Sequence, residues 1–273
     1  MNYKSLLGTA VAAALMFGAQ AASACAISAW SSATGLTVAD TGEPTAGFSR
    51  YSGRCSVRVA SANGAIGRFV TDTTPNNEAT YRARFYYYTG DITGSTDIFQ
   101  ARNTGGTNII RVAHDGTALS FTTNTGGAAQ NVTVQDNKYY AIELAWAAGA
   151  GTGSMSATVT GAGSNTPAGT ATFTNLANSA DSITDARLGL VTGTPTVTAP
   201  VFFDEFDSRR TQNPGLLLRG DANGDLSVLV GDAIQARNEA LGGALTIGQG
   251  DCNQDGFVLV GDAICIRNIA LTN

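Results

Sequence analysis

Two segments near the C-terminus carry side chains whose spacing can do chemistry: GDANGDLSVLVGDAIQARNEAL, residues 220–241, and GDCNQDGFVLVGDAICIRNIAL, residues 250–271, identical at 15 of 22 positions. Counted from Asp221 and from Asp251, each copy sets oxygen donors at positions 1, 3, 5 and 12. These are Asp221, Asn223, Asp225 and Asp232 in the first copy, and Asp251, Asn253, Asp255 and Asp262 in the second. Donors at that spacing wrap a short loop around a hard cation, which takes about six to eight oxygens. The expected ion is Ca2+, one in each loop, because four side-chain oxygens recur twice in one register; two acidic turns without metal are the alternative. Position 7 ligates through its backbone carbonyl, so Ser227 and Phe257 differ without harm. Position 9 holds Leu229 and Leu259, which have no ligating atom, so a water fills that corner or the coordination number falls. Position 6 favours glycine for its sharp turn. Gly256 satisfies this, whereas Leu226 has to be forced into the turn at about 1 kcal/mol. The second loop is therefore expected to bind more tightly.

Each loop runs into one predicted helix, VGDAIQARNEAL or VGDAICIRNIAL. Ile234 and Leu241, like Ile264 and Leu271, recur at helical spacing and are expected to pack against their counterparts across a pseudo-twofold axis. No helix of comparable length precedes the first loop. This duplicated half-hand, residues 219–272, resembles the type I dockerin. The resemblance implies docking onto a cohesin-like or other surface protein, with Arg237 and Arg267 standing where the family places a basic residue beside its partner. One departure bears on the partner: Val230-Gly231 and Val260-Gly261 occupy positions 10 and 11, where cellulosomal dockerins usually carry Ser or Thr.

The chain that has to carry these loops begins MNYKSLLGTAVAAALMFGAQAASAC. Lys4, an apolar run and the small-residue pattern at Ala19–Ala21 and Ala22–Ala24 predict a signal peptide over residues 1–24; the run is too short for a bilayer span. An exported protein meets an oxidising compartment. Cys25 and Cys55, the two cysteines of the large region, are expected to pair, with lipid modification of Cys25 as the alternative. Cys252 and Cys265 are expected to pair as well, since the loop doubles back and brings the helix beside its first residues. The net charge of −5, two lysines (Lys4 and Lys138) and no basic run longer than Arg209-Arg210 argue against nucleic acid as a partner.

From residue 26 to about 208 the pattern is one of short strands. ATYRARFYYY, NIIRVA, ALSFTT, YYAIELAW, SMSATVT and PVFFDEF alternate apolar and polar residues between Gly, Asn, Asp and Thr clusters. The expected fold is an all-β antiparallel jelly-roll sandwich followed by a small α-helical calcium-binding module. The expected divisions are a sandwich over 25–208, a linker over 209–218 and the module over 219–273. The order of YRARFYYY, DIFQARN, a hairpin, KYYAIELAW and ARLGLVTGTP…VFFDEFDSRR resembles the LamG-like, concanavalin A-like jelly rolls across residues 45–210. That resemblance brings in sugar-binding modules and glycosidases as well as domains without known ligand.

Several residues of this region are candidates for chemistry. In DEFDSRR, Glu205 and Asp207 match the first carboxylates of the retaining β-glucanases of this fold, but Arg209 or Arg210 stands where the acid belongs, so no catalytic residue is assigned. Strand alternation would put Phe202, Asp204 and Phe206 on one face. Arg82, Arg84, Tyr86 and Tyr88 would form either a sugar-stacking surface or an ordinary polar one. His114, the single histidine, is expected in a surface turn, with Asp115-Gly116 supplying positive φ angles. Leu216–Leu218 are expected to pack rather than tether freely. The favoured function is a secreted, non-catalytic protein docked through its calcium module; a polysaccharide-binding module and a glycoside hydrolase are the alternatives.

Overall fold

The computed structural model describes residues 30–42, 50–53, 55–255 and 257–272. In chain order the strands are β1 (Ser32–Thr34), β2 (Thr41–Gly42), β3 (Ser56–Val59), β4 (Ala62–Asn63), β5 (Arg68–Asp72), β6 (Thr80–Tyr88), β7 (Asp91–Thr93), β8 (Thr96–Arg102) and β9 (Asn108–His114). They continue with β10 (Ala118–Thr123), β11 (Gln130–Thr133), β12 (Tyr139–Ala147), β13 (Ala150–Gly161), β14 (Pro167–Ala177), β15 (Asp185–Gly193), β16 (Thr196–Ala199) and β17 (Val201–Arg209). Two helices follow, α1 (Val230–Ala240) and α2 (Val260–Ala270). One seven-stranded sheet has the order β1-β5-β15-β8-β9-β10-β11, the other β14-β13-β12-β6-β17-β3-β2, and β4-β16-β7 form a small third. All pairings are antiparallel, and the two large sheets enclose one core, as in a jelly-roll sandwich. The signal peptide and Cys25 lie outside the described residues. Among the described residues no helix is long and apolar enough to cross a membrane.

Alternation explains most of the core. Tyr81, Ala83, Phe85 and Tyr87 of β6 and Ile142, Leu144 and Trp146 of β12 are buried between the sheets. Phe85 stacks on Phe99 of the opposite sheet at 5.3 Å. Two expectations fail here. His114 is no turn residue: it is fully buried, and its Nδ1 lies 2.9 Å from the Tyr87 hydroxyl. Burial lowers its pKa to about 4, because a charged imidazole would be desolvated. In the turn beyond it only Gly116 has positive φ, at 97°; the Asp115 carboxylate instead accepts from the Thr117 and Ala118 amides.

The second failure is in β17, where a bulge between Asp204 and Asp207 interrupts the alternation and leaves Glu205 at φ 50°. Phe206 therefore does not share a face with Phe202. Phe206 packs against the main core and lies 5.1 Å from Trp30, whereas Phe202 joins an outer cluster with Tyr51, Tyr86, Tyr139 and Ala141.

Candidate metal loops and docking surface

The loops reach their place through the segment after β17, which crosses the outer face of the β6–β12–β17 sheet. Glu143 accepts from the Asn213 side chain (2.8 Å) and the Gly215 amide (2.7 Å), and Arg84 donates to the Gly215 carbonyl (2.9 Å). The Leu217 amide donates to the Tyr86 hydroxyl (2.8 Å), and the Leu217 side chain packs on the outer aromatic cluster, where Tyr51 stacks on Tyr86 at 3.7 Å. Leu216 and Leu218 are 44% and 43% exposed, so Leu217 is the main anchor of the three. The Arg84/Tyr86 surface is accordingly neither a sugar platform nor an open polar face; it is covered.

The module itself is fastened by charge. Arg50 donates to the Thr246 carbonyl (3.0 Å) and pairs with Glu239 at 2.6 Å, both side chains being buried. Arg219 donates to the Cys252 carbonyl (2.6 Å) and to the Gly163 carbonyl (3.4 Å). Gly163 takes φ 80°, a conformation that favours glycine, and the end of the flexible Gln254 side chain lies against it. Arg50, Arg219, Glu239 and Gln254 were not singled out from sequence. A signal was present at two of them: Glu239 and Gln254 are positions where the repeats differ, their counterparts being Ile269 and Gly224.

The two loops have nearly the same hydrogen-bond scheme. In the first, the Asp221 carboxylate accepts from the amides of Gly224 (2.7 Å), Asp225 (3.0 Å) and Leu226 (2.8 Å). Asn223 Oδ1 accepts from the Asp225 amide and Asp225 Oδ1 from the Ser227 amide. Asp232 closes the loop, accepting from the Asn223 amide (3.0 Å) and, as the third residue of α1, from the Leu229 amide (2.8 Å). In the second, Asp251, Asn253, Asp255, Phe257 and Asp262 repeat these roles through Gln254, Asp255, Asn253 and Leu259. The loops are also joined: the Gly248 amide donates to the Ala222 carbonyl and the Gln249 amide to the Asp221 carbonyl.

Backbone strain is not confined to one loop. Leu226 takes φ 67° at position 6, as expected, but at position 4 the first loop has Gly224 at φ 73° while the second has Gln254 at φ 63°. Gly256 lies outside the described residues. Each loop thus holds one side-chain-bearing residue in the left-handed region, and the ground for ranking their affinities is reduced.

Whether this donor set fits a cation turns on its uncompensated charge. Asp221, Asp232, Asp251 and Asp262 are buried, and among the described residues no Lys or Arg pairs with Asp221, Asp232 or Asp262. Burial also raises the pKa of Asp262. Buried carboxylates of this kind need a counter-charge, and three Asp and one Asn per loop, all oxygen donors, suit calcium. The carboxylates are turned onto backbone amides, and among the described residues no three Asp, Glu, His or Cys side chains form a compact metal cluster.

The helices invert the expected packing. The module core is built from Ala222, Val228, Ala233, Ala236, Cys252, Ala263 and Ile266, four of the seven being alanine. Ile234 and Ile264 do not meet across the pseudo-twofold: they are 51% and 49% exposed, and Leu241 and Leu271 are 64% and 71% exposed. Val230, Ile234, Arg237 and Leu241 fall on one helical face, as do Val260, Ile264, Arg267 and Leu271, and all eight are exposed. Cys252 and Cys265 form the expected disulfide, which fastens the second loop to α2. Cys55 is disulfide-bonded. Of the remaining carboxylates, Asp204 is buried and accepts from the Tyr51, Ser52 and Glu205 amides, and Glu205 lies 3.8 Å from Arg84. Burial raises the pKa of both.

No protein-family model and no curated protein sequence matches the chain. Solved structures similar to it include a "Sialidase" (TM-score 0.40, 9% identity, 67% of this chain and 17% of that one) and a "Cellulose induced protein, Cip1" (0.41, 15%, 60% and 83%). "Mouse laminin alpha1 chain, domains LG4-5" is a third (0.37, 10%, 58% and 44%). At these scores the likeness assigns neither substrate nor partner.

Proposed function

We propose that the C-terminal module binds two calcium ions and docks the protein outside the cell, through its solvent-facing helical stripes, onto a cohesin-like surface protein, with the β-sandwich as the domain so displayed. The observation that carries this is the stripe. Val, Ile, Arg and Leu recur at the same four places of both helices and face water, although the small module has so little apolar surface to bury. Exposed apolar sets of this kind mark interaction surfaces. The loops supply the reason for calcium: a cation at each buried Asp set neutralises the charge at the N-terminus of the helix that presents the stripe.

Calorimetric titration of the chelated protein with calcium is expected to give two sites, one lost in Asp232→Ala and the other in Asp262→Ala. Binding to a cohesin-domain panel is expected with calcium, absent with chelator, and lost when Ile234→Asp and Ile264→Asp are combined. Absence of calcium uptake, or binding that survives the double substitution, refutes the reading.

A further inference from the structure

We propose that the open end of the sandwich is a binding cleft for a neutral, polyhydroxylated ligand, namely a sugar unit of a glycan. The ends of β5 and β17 lie side by side there although they belong to opposite sheets, and the Ser208 hydroxyl spans the gap to Asp72 Oδ2 at 3.3 Å. Next to this bridge lies a cavity of about 360 Å³ lined by Trp30, Asp72, Thr74, Phe206, Asp207 and Ser208, within the range of about 300–1,000 Å³ common for small-molecule sites.

The lining has two characters. Trp30 and Phe206, with ring centroids 5.1 Å apart and planes inclined at 42°, provide an aromatic surface. Asp72 and Asp207, with the hydroxyls of Thr74 and Ser208, provide hydrogen-bond acceptors and donors. A pyranose has the matching halves: a C–H face that packs on an aromatic ring, and hydroxyls that donate to carboxylates in charge-assisted bonds.

The carboxylates also decide the ligand's charge. No Lys or Arg is among the lining residues, so an anionic ligand would face the Asp72 and Asp207 carboxylates directly. A cation would have to compete with Arg209 for Asp207, while Asp72 is already satisfied by neutral donors. Asp207 pairs with Arg209 at 2.8 Å, and Asp72 accepts from the Thr74 amide (2.8 Å), the Thr74 hydroxyl (3.1 Å) and Ser208. What remains are lone pairs suited to hydroxyl donors.

The chain offers its own reporter. It has two tryptophans, and Trp146 is fully buried in the core, so a ligand-induced change in tryptophan emission reports Trp30. The full chain, with calcium present throughout, is titrated with cello-, xylo-, manno- and galacto-oligosaccharides, and with oligogalacturonate as the anionic control. At least one neutral oligosaccharide is expected to give a saturable emission shift, and oligogalacturonate none. By calorimetry, the affinity is expected to fall at least tenfold in Trp30→Ala and in Asp207→Ala, the latter variant guarding against misfolding of the former. A panel without any neutral binder, unchanged affinity in both variants, or equal binding of oligogalacturonate overturns the proposal. None of these outcomes depends on calcium uptake, so the cleft and the docking module stand or fall separately.

Discussion

Leu226 and His114 show how single residues store free energy in this molecule. Leu226 sits at φ 67° with 81% of its surface exposed, so its side chain contributes strain and little packing. Replacing it with glycine is expected to relieve about 1 kcal/mol, which on the proposed calcium reading would be a near fivefold gain in the first loop's affinity by titration calorimetry. His114 acts through protons. The unfolded chain takes one up near the ordinary value of 6.5, the folded protein only near 4. Between those values the unfolded state binds more protons, so stability is complete above about pH 6.5 and falls with acidification, by about 3 kcal/mol once both values are passed. Urea midpoints at about pH 7.5 and pH 5 are expected to differ more in the wild type than in His114→Gln. An equal shift in both would mean that His114 is not the group responsible.

At the scale of elements, the disulfide and the ion pair make the two halves of the module unequal. Cys252–Cys265 closes a segment of 13 residues in the second half, where the first half has Ala222 and Gln235. Replacing both cysteines with alanine is expected to remove about 3 kcal/mol, read as a lower urea midpoint of the module, since a loop of this size constrains the unfolded chain by that order. The first half is held instead by Arg50 on Glu239. Changing Glu239 to Ile, the residue its counterpart position 269 already carries, leaves the buried Arg50 without its partner. A loss of about 3–5 kcal/mol in the seating of the module is expected, seen as faster proteolysis across residues 210–219. Unchanged proteolysis would show that the pair does not hold the module down.

The whole molecule has two cores with one seam between them. The sandwich core and the module core share no residue, while the outer cluster of Tyr51, Tyr86, Tyr139 and Phe202 is roofed by Leu217. On the proposed reading, calcium at a hundredfold excess over Kd would stabilise the folded module by about 2.7 kcal/mol per site. Chelation is therefore expected to unseat the module, uncover the tyrosines and increase binding of a hydrophobic dye. The sandwich, whose core lies between its own sheets, should keep its far-ultraviolet β signal. Loss of both signals together would mean that the sandwich depends on the module.

The strands were legible because a half-buried strand alternates its side chains, and YYAIELAW or YRARFYYY can satisfy that pattern in one way only. The oxygen spacing of the loops and the Cys252–Cys265 pairing were legible for a related reason: both are local, within about fifteen residues, where chain geometry limits the possibilities. Tertiary structure alone decided the rest. A bulge at Glu205 adds one residue to an otherwise regular count and leaves no mark in composition. The Val-Ile-Leu stripe of each helix reads the same whether it faces a core or a partner, and alanines opposite it made the buried side. His114 and the Tyr86 face were buried by residues 27 or more positions away in the chain. Which apolar surface is covered depends on which segments meet, and that is a property of the assembled fold that no short window of sequence contains.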